Sequence, residues 1–387
     1  MEKLKVGIIG TGLITGIARA HTKAYELCER ANLVALYDIV PGKAQIFHDK
    51  WELGDDVKVC QTLDEFYAMV DAVSVCTPNY MHVPVAIDAM EHGKHVLVEK
   101  PISTSYEEGL KLYDYSLKHP ELKALVVFNY REFATTAFMK EILDSGRLGD
   151  IISVRVNYGG GRIGDPENVY LEWRMQEDMS GTGALCDFGV HMLDITDYLL
   201  HDKIGNFKAF NGMTTTLIKE RYKINMNDPY MGKLDGTKAP VTNDDVAAFS
   251  AVSESGALCN YVTGRLKLKN QVIEIIGTGG AISLDTAYPA GTLGVYFADE
   301  KKTDENGKPV FPSIKPVKIP EKYNEYPYGG HNGMINEFVN CVLDNLTPKR
   351  DIRRALYIQR QVDNFAKAAK TGKTVYETVD EKEIHRD

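Results

Sequence analysis

The residues in this sequence best suited to acid–base chemistry are a carboxylate and an imidazole spaced by about one helical turn. Asp187 and His191 stand four positions apart at the start of a segment with helical apolar periodicity, so on a helix they share a face. A carboxylate beside an imidazole raises its basicity and orients it, as a general base requires. Two other interpretations stay open: a buried structural histidine, or a metal-binding face that includes Asp194.

A lysine at the end of an apolar strand can supply positive charge to the same chemistry. Glu99-Lys100-Pro101 closes a strand predicted over residues 95–99, and ligands bind at the ends of strands in a doubly wound sheet. There the Lys100 ammonium can stabilise a substrate oxygen whose negative charge grows as its proton leaves. The alternative is an ordinary strand-end lysine that extends into water.

A glycine turn and an acidic residue further along the chain are typical of dinucleotide binding. Gly10-Thr11-Gly12 follows an apolar strand and opens a helical stretch, which lets backbone amides approach a pyrophosphate at the positive helix N-terminus. Thr15 replaces the usual third glycine, and Gly16 follows one position late. Asp38, at the end of the second strand and 22 residues past Gly16, can accept hydrogen bonds from the adenosine ribose.

The charge of Asp38 also predicts which dinucleotide binds. A carboxylate repels a 2′-phosphate and no arginine stands beside Asp38, so we expect NAD rather than NADP; Lys43 is the nearby cation that counts against this preference. A redox step with NAD needs no metal, and no further cluster of histidine and aspartate has ligand spacing. We therefore expect no metal site.

The elements that must position these residues follow two patterns. The first ~125 residues alternate short β-branched runs with amphipathic stretches, which predicts an α/β Rossmann domain with a doubly wound parallel sheet over residues 1–125. A helix is predicted over residues 84–93, with Gly93 as its C-terminal stop. The predicted strands cover residues 5–10, 33–38, 57–60, 72–77, 95–99 and 125–129.

Beyond Gly149 the strand-like runs become longer and fewer helices separate them. This predicts an α+β domain with a large, mostly antiparallel open sheet over residues 126–387. Residues 219–241 are polar and interrupted by proline and glycine, and three interpretations are open for them: a lid, a subunit contact or a surface excursion. The predicted strands cover residues 151–158, 207–218, 246–253, 258–268 and 272–277, and the predicted helices cover residues 332–344 and 352–370.

Composition excludes several classes of protein. The 387 residues exceed the usual size of a single core, include 44% hydrophobic residues, and carry a formal net charge of -9 that is spread along the chain. This balance gives no basic surface for nucleic acid, and no apolar run approaches the ~20 residues of a membrane span. Six cysteines without CxxC pairing predict neither a zinc site nor a disulfide framework, so we expect a cytoplasmic protein.

Taken together, these motifs resemble the glucose-fructose oxidoreductase/inositol dehydrogenase/MocA (Gfo/Idh/MocA) family of NAD(P)-dependent oxidoreductases. The resemblance spans essentially the whole chain and adds Cys76-Thr-Pro-Asn-Tyr-Met-His82 to the motifs above. It implies that Lys100, Asp187 and His191 form the catalytic trio and that the Lys100-Pro101 bond is cis. The cofactor-binding residues that it implies are Gly10, Thr11, Gly12, Leu13, Ile14, Asp38, Thr77, Pro78, Asn79, His82, Glu99, Lys100 and Asn129.

A glycine-rich segment followed by aromatic and cationic side chains predicts the type of substrate. Arg162, Trp173 and Arg174 lie between the first strand of the second domain and Asp187. Aromatic rings stack on the apolar CH faces of sugars, and arginines donate to hydroxyl groups. We expect these three residues, with the catalytic trio, to bind a sugar or polyol. The alternative for Trp173 is an ordinary core position.

Three functions fit this constellation. The first is an NAD-dependent dehydrogenase that oxidises a secondary hydroxyl of a sugar, glycoside or inositol-type polyol. The second keeps NAD tightly bound and oxidises a sugar carbon transiently, which permits glycoside cleavage or isomerisation, as in some relatives of the family that the chain resembles. The third is a non-catalytic regulator that senses NAD and sugar, which the intact trio disfavours. We also expect a homo-oligomer, a dimer or tetramer, assembled through the C-terminal sheet.

Overall fold

Short apolar strands near the start of the chain are buried, as strands at the centre of a layered α/β domain must be. They are β1 (Leu4–Ile9), β2 (Ala31–Tyr37), β3 (Lys58–Val59), β4 (Ala72–Val75), β5 (His95–Val98) and β6 (Ala124–Val126). In the computed structural model they form one parallel sheet in the order β3-β2-β1-β4-β5-β6, which confirms the predicted Rossmann sheet. The structure describes residues 3–12, 16–160, 170–225, 234–265, 271–285, 292–300, 302–310, 313–323, 330–349 and 351–377.

Helices link these strands, as parallel pairing requires. Two of them begin at hydroxyl caps: the Thr62 side chain accepts a hydrogen bond from the Glu65 N–H, and the Ser105 side chain accepts one from the Glu108 N–H. The helix predicted over residues 84–93 is present, shifted two residues toward the N-terminus. The linking helices are α1 (Ile17–Glu26), α2 (Lys43–Lys50), α3 (Leu63–Met69), α4 (His82–Glu91) and α5 (Tyr106–Lys118).

The middle of the chain contributes three further helices and most of the remaining strands. The helices are α6 (Ala134–Asp144), α7 (Glu177–Ser180) and α8 (Val190–Ile204). The strands are β7 (Ile151–Gly159), β8 (Tyr170–Leu171), β9 (Phe207–Thr215), β10 (Glu220–Ile224), β11 (Leu234–Pro240), β12 (Val246–Ser253), β13 (Leu258–Gly264), β14 (Val272–Gly277), β15 (Gly280–Asp285), β16 (Thr292–Phe297), β17 (Lys302–Thr303), β18 (Pro309–Val310), β19 (Lys315–Pro316) and β20 (Val375–Tyr376).

Nine of these strands form the large sheet that the sequence predicts. Their order is β19-β16-β15-β14-β7-β13-β12-β9-β20. The pairing is antiparallel except between β7 and β13, which run parallel. The α+β character and the mostly antiparallel sheet are therefore confirmed. Among the described residues, no helix is both long and apolar enough to cross a bilayer.

The two helices that close the described chain pack on different parts of the molecule. They are α9 (His331–Leu343) and α10 (Ile352–Thr371), close to the predicted bounds. Met334 and Phe338 of α9 are buried in one cluster with Leu4 and Leu97 of the parallel sheet. Helix α10 contacts α5, α8 and β9. The end of the chain thus returns to cover the Rossmann sheet, although the sequence assigns it to the second domain.

Two predicted strands end earlier than expected, and the stretch whose role the sequence leaves open contains two strands. The sixth parallel strand ends at Val126, and Asn129 begins a 3-10 turn (Asn129–Glu132). Strand β9 ends at Thr215 and not at residue 218. The polar stretch 219–241 contains the antiparallel pair β10 and β11, which joins β8 in a small three-stranded sheet. Nearly all of β11 is exposed, so these strands lack the alternation of apolar and polar residues by which a strand is recognised.

Substitution of Gly10 tests whether the end of β1 has to pack this closely against the end of β4. Its φ is +91°, and a Cβ would lie 2.8 Å from backbone atoms of Cys76 and Thr77. We expect Gly10→Ala to unfold at a clearly lower temperature and to lose NAD binding, because neither strand end can retreat. Gly93→Ala is the control: its φ is also positive, +72°, but a Cβ there meets no atom within 4 Å, so only a backbone cost of about 1–3 kcal/mol is expected. Equal thermal unfolding and equal NAD titration of the two variants would contradict this packing.

Candidate active site

The glycine turn and the end of β2 form one side of an elongated groove. The Thr11 backbone N–H and hydroxyl donate hydrogen bonds to Oδ2 of Asp38, at 2.9 and 3.0 Å. Lys43 Nζ lies 3.8 Å from the same oxygen. Gly10, Gly12 and Asp38 line the groove, which has a volume of about 340 Å³. Asp38 therefore orders the turn and also faces the space beside it.

The groove fits a dinucleotide in shape and in polar groups. A Cβ on Gly12 would meet no atom within 4 Å, so a phosphate can approach this backbone closely. Thr77 Oγ1 is buried beside the groove and has no hydrogen-bond partner among the described residues, and an amide or hydroxyl of a bound cofactor would satisfy it. Leu13 and Ile14, the other predicted contacts in the turn, lie outside the described residues.

A smaller polar cavity of about 130 Å³ continues from the groove. Thr77, Trp173 and Arg174 line both spaces. Of the predicted nicotinamide contacts, Pro78 lines only the groove, and Asn129 lines neither space. The other residues that the small cavity brings together include Asn79, His82, Glu99, Lys100, Asp187 and Arg265.

Two of these residues hold the backbone around the cavity. The ring nitrogens of His82 lie 2.7 Å from the carbonyl oxygen of Pro101 and 3.0 Å from that of Thr77. Asn79 Nδ2 donates to the carbonyl oxygen of Ser180 at 2.9 Å. A neutral imidazole donates from one nitrogen only, so His82 donates to one of these two carbonyl oxygens. With the Asn79 hydrogen bond, it ties together the backbone segments around the cavity.

The end of β5 places Lys100 beside the carboxylate of Asp187, which lies just before α8. The Lys100-Pro101 bond is cis, as the resemblance implies. Lys100 Nζ donates to Asp187 Oδ1 at 2.8 Å and to the Asp187 carbonyl oxygen at 2.7 Å, and Arg265 Nε lies 3.8 Å from Oδ2. Burial opposes ionisation of Asp187, but the charges of Lys100, Arg265 and Arg174 outweigh it and hold its pKa well below the ordinary value. Asp187 is a carboxylate under all physiological conditions.

A π-helical turn presents Asp187. This turn (Leu185–Gly189) directly precedes α8 and is anchored by Asp244, whose carboxylate accepts hydrogen bonds from the N–H groups of Gly183 and Leu185 at 2.8 and 3.1 Å. A Cβ at Gly183 would lie 1.8 Å from the carbonyl oxygen of Asp244. Position 183 therefore requires glycine, because any side chain there would collide with the backbone just before β12.

His191 lines a different cavity from Asp187, whereas the sequence predicts that the two side chains lie side by side. Because the backbone is π-helical up to Gly189, an α-helical spacing of four does not bring Asp187 to the imidazole, and the Asp187 carboxylate binds Lys100 instead. His191 Nδ1 is buried without a hydrogen-bond partner among the described residues. The ring packs edge-on against Tyr130, with centroids 4.6 Å apart. It lines a mainly apolar cavity of about 180 Å³ that also includes Phe133.

The net basicity of His191 depends on burial as well as on its charged neighbours. Its pKa lies well below the ordinary value because the ring is buried and because Lys100 is positively charged. The negative charge of Asp187 acts in the opposite direction, but its effect is smaller. The effect of Asp187 therefore has the direction that the sequence predicts, although the net shift of the His191 pKa is downward. His191 is a neutral imidazole near pH 7, ready to accept a proton.

The predicted sugar-binding residues lie beside both spaces. Trp173 and Arg174 belong to a 3-10 turn (Trp173–Met175), and the Arg174 guanidinium lies 4.1 Å from the centre of the Trp173 ring. Trp173 is partly exposed, which excludes the alternative of a core position. Trp173 lines the cofactor groove as well as the small cavity, so its ring can contact a molecule in either space. Arg162 lies outside the described residues.

Sequence reasoning missed three residues of the site. Arg265, immediately after β13, is fully buried beside Asp187. Glu99 Oε1 lies 2.8 Å from His21 Nε2 in α1 and 3.5 Å from His331 Nε2 in α9. The clue to Arg265 was a charged residue inside the strand predicted over residues 258–268. His21 and His331 were missed because they are too far from Glu99 in sequence to form a motif.

The metal alternatives can now be compared with the structure. Asp194 forms a buried ion pair with Arg131, so it does not join Asp187 and His191 in a metal-binding face. Among the described residues, His21, Glu99 and His331 are the group whose ligand atoms lie within 4.8 Å of one another. Within this group, His21 and Glu99 are joined by a direct hydrogen bond.

Comparison with known proteins agrees with this geometry. Residues 4–126 match the oxidoreductase family with an NAD-binding Rossmann fold, and residues 136–283 match the GFO/IDH/MocA C-terminal domain. The chain therefore belongs to the Gfo/Idh/MocA family. It is an oxidoreductase whose cofactor is NAD.

Individual relatives support the same placement. Over 297 residues the chain is 31% identical to the levoglucosan dehydrogenase of Pseudarthrobacter phenanthrenivorans, with 73% of each chain covered. Over 289 residues it is 28% identical to the glucose-6-phosphate 3-dehydrogenase of Bacillus subtilis, with 74% of this chain and 75% of the relative covered. A solved levoglucosan dehydrogenase in complex with NADH and L-sorbose has a TM-score of 0.82 at 24% identity, covering 97% of this chain and 99% of that one. This structural likeness supports the fold.

Asp38 provides a test of how the groove selects its cofactor. We expect Asp38→Ser to bind NAD more weakly, because Thr11 loses its acceptor, and to reduce the preference for NAD over NADP, because the repulsion of a 2′-phosphate disappears and Lys43 remains. Asp49→Ser, which removes an exposed carboxylate from α2, is the control. Titration of both cofactors measures the effect. A wild-type protein that binds NADP at least as tightly as NAD would contradict the role given to Asp38.

Proposed function

We propose that this chain oxidises a secondary hydroxyl of a sugar, glycoside or inositol-type polyol by hydride transfer to NAD. The observation that carries the proposal is the Lys100–Asp187 pair at 2.8 Å, in a polar cavity continuous with the dinucleotide groove. The names of two relatives, a levoglucosan dehydrogenase and a glucose-6-phosphate 3-dehydrogenase, support a sugar as the substrate. Trp173 and Arg174 offer a ring face and hydroxyl donors beside the same cavity.

The catalytic roles follow from charge and protonation. Asp187 holds the Lys100 ammonium in place, where it stabilises the oxygen of the substrate as its proton leaves. His191, neutral because of burial and of the Lys100 charge, accepts that proton. NAD, when bound, supplies the hydride acceptor. Glu99, Thr77, Asn79 and His82 surround the nicotinamide end.

The assembly and location of the chain are also proposals. We propose that the first domain ends near residue 125 and that copies of the chain associate through the outer face of the nine-stranded sheet. Ile152, Leu258, Val262 and Ile276 are exposed apolar residues on three neighbouring strands of that sheet, which supports such a contact. Six buried free thiols support a reducing, cytoplasmic location.

The proposed reaction is tested by following NADH on a panel of inositols, hexoses and glycosides. We expect NADH to accumulate in proportion to the oxidised product with one class of compound. Glycoside cleavage or isomerisation without accumulation of NADH would instead support retained NAD and transient oxidation. Binding of sugars without any turnover would contradict an enzymatic function and support a non-catalytic sensor.

His191 and Lys100 are expected to contribute comparably to turnover. His191→Ala should keep NAD affinity and lose roughly 10²–10⁴-fold in turnover, because the proton acceptor is gone. Lys100→Met should lose a comparable factor through the missing charge on the developing alkoxide. His119→Ala, at the exposed end of α5, is the matched control and should behave as the wild type. Near-wild-type turnover of His191→Ala would assign the base role to another group.

A further inference from the structure

Glu99 is a buried carboxylate that forms no direct ion pair with a lysine or arginine side chain among the described residues. It is 5% exposed and lies at the carboxyl end of β5, on the wall of the small cavity. Its carboxylate faces His21 and His331 and accepts a hydrogen bond from the Lys100 backbone N–H at 3.2 Å. The Lys100 side chain is directed elsewhere, to Asp187.

The hydrogen bonds behind Glu99 have one self-consistent direction. A carboxylate only accepts, so His21 Nε2 donates to Glu99, and His21 Nδ1 accepts from Ser74 Oγ at 3.0 Å. Ser74 Oγ then accepts from the Tyr25 hydroxyl at 2.7 Å. Burial raises the pKa of Tyr25, which keeps this hydroxyl a donor. Three buried side chains from α1 and β4 thus point their hydrogens toward Glu99.

Protonation states agree with this direction. Burial lowers the pKa of His21, so it is a neutral donor. Burial opposes ionisation of Glu99, but its hydrogen bonds to the two histidines hold its pKa well below the ordinary value. Glu99 is therefore ionised, and the His21 ring that donates to it is neutral.

We propose that Glu99 makes the site discriminate between oxidised and reduced cofactor, binding NAD⁺ in preference to NADH. The inference rests on the proposed function, in which the nicotinamide end lies in the small cavity. The nicotinamide ring is positively charged in NAD⁺ and neutral in NADH, so a nearby buried carboxylate attracts only the oxidised form. When hydride transfer neutralises the ring, this attraction is lost and NADH is released more easily. His21 and His331 are positioning residues that keep the carboxylate ionised.

The test is the ratio of the dissociation constants of NAD⁺ and NADH, measured by calorimetric titration without sugar. Glu99→Gln keeps the shape of the side chain and removes the charge. We expect it to raise the ratio of Kd for NAD⁺ to Kd for NADH by roughly 10- to 100-fold, the size of a charge interaction across several ångströms of protein. Asp71→Asn, which removes an exposed carboxylate at the opposite end of β4, is the control and should leave the ratio unchanged.

A second variant keeps the carboxylate, in case Glu99→Gln folds poorly. His331 is partly exposed, and His331→Lys places a permanent positive charge beside Glu99. We expect the same direction of change in the ratio. Equal weakening of NAD⁺ and NADH, or a ratio within about twofold of wild type in a folded variant, would overturn the proposal.

A further measurement separates this proposal from a metal site. Stoichiometric binding of Zn²⁺ by the wild type that disappears in Glu99→Gln would overturn the proposal by making this cluster a metal site; we expect no such binding. The affinities are measured without substrate, so they do not depend on His191. If another group is the catalytic base, the predicted ratio of the two dissociation constants still holds. A change in that ratio therefore reports on Glu99 and not on the base.

Discussion

The ion pair between Lys100 and Asp187 is the interaction on which the rest of the site depends. It joins the residue that follows β5 and precedes a cis peptide bond to the π-helical turn that leads into α8. Asp187 holds the Lys100 ammonium in place, and burial together with this ammonium lowers the pKa of His191. Without this pair the site would lose its fixed cation, and burial alone would keep the imidazole neutral.

Much of the surrounding structure keeps the two partners at this distance. His82 connects the backbone after β4 to Pro101, and Asn79 reaches Ser180 across the cavity. On the other side, Asp244 holds the turn that carries Asp187. These are hydrogen bonds between strand ends and loops, so the reacting side chains are fixed by backbone anchors and not by their own contacts alone.

The sequence was sufficient for the fold and for the residues that local motifs identify. Strand and helix periodicity predicted both sheets, and the spacing of Gly10 and Asp38 predicted the groove. Contacts between residues far apart in sequence could not be predicted, because no local motif around His21 indicates a contact with Glu99 or His331. The π-helical turn was also hidden, because a glycine-rich run reads equally as a loop or as a helix start, and this turn decides that Asp187 faces Lys100 and not His191.

The central claim is that a neutral, buried His191 takes the proton while Lys100 stays charged. The most direct test is the pH dependence of kcat/KM for alcohol oxidation, with a deuterated substrate to verify that hydride transfer is observed. Because the base must be deprotonated, activity should rise with pH through the pKa of His191, and this acidic limb should lie below the ordinary value of 6.5. It should vanish in His191→Gln. An acidic limb near pH 8 or above that survives in His191→Gln would contradict the account and assign the base to Lys100.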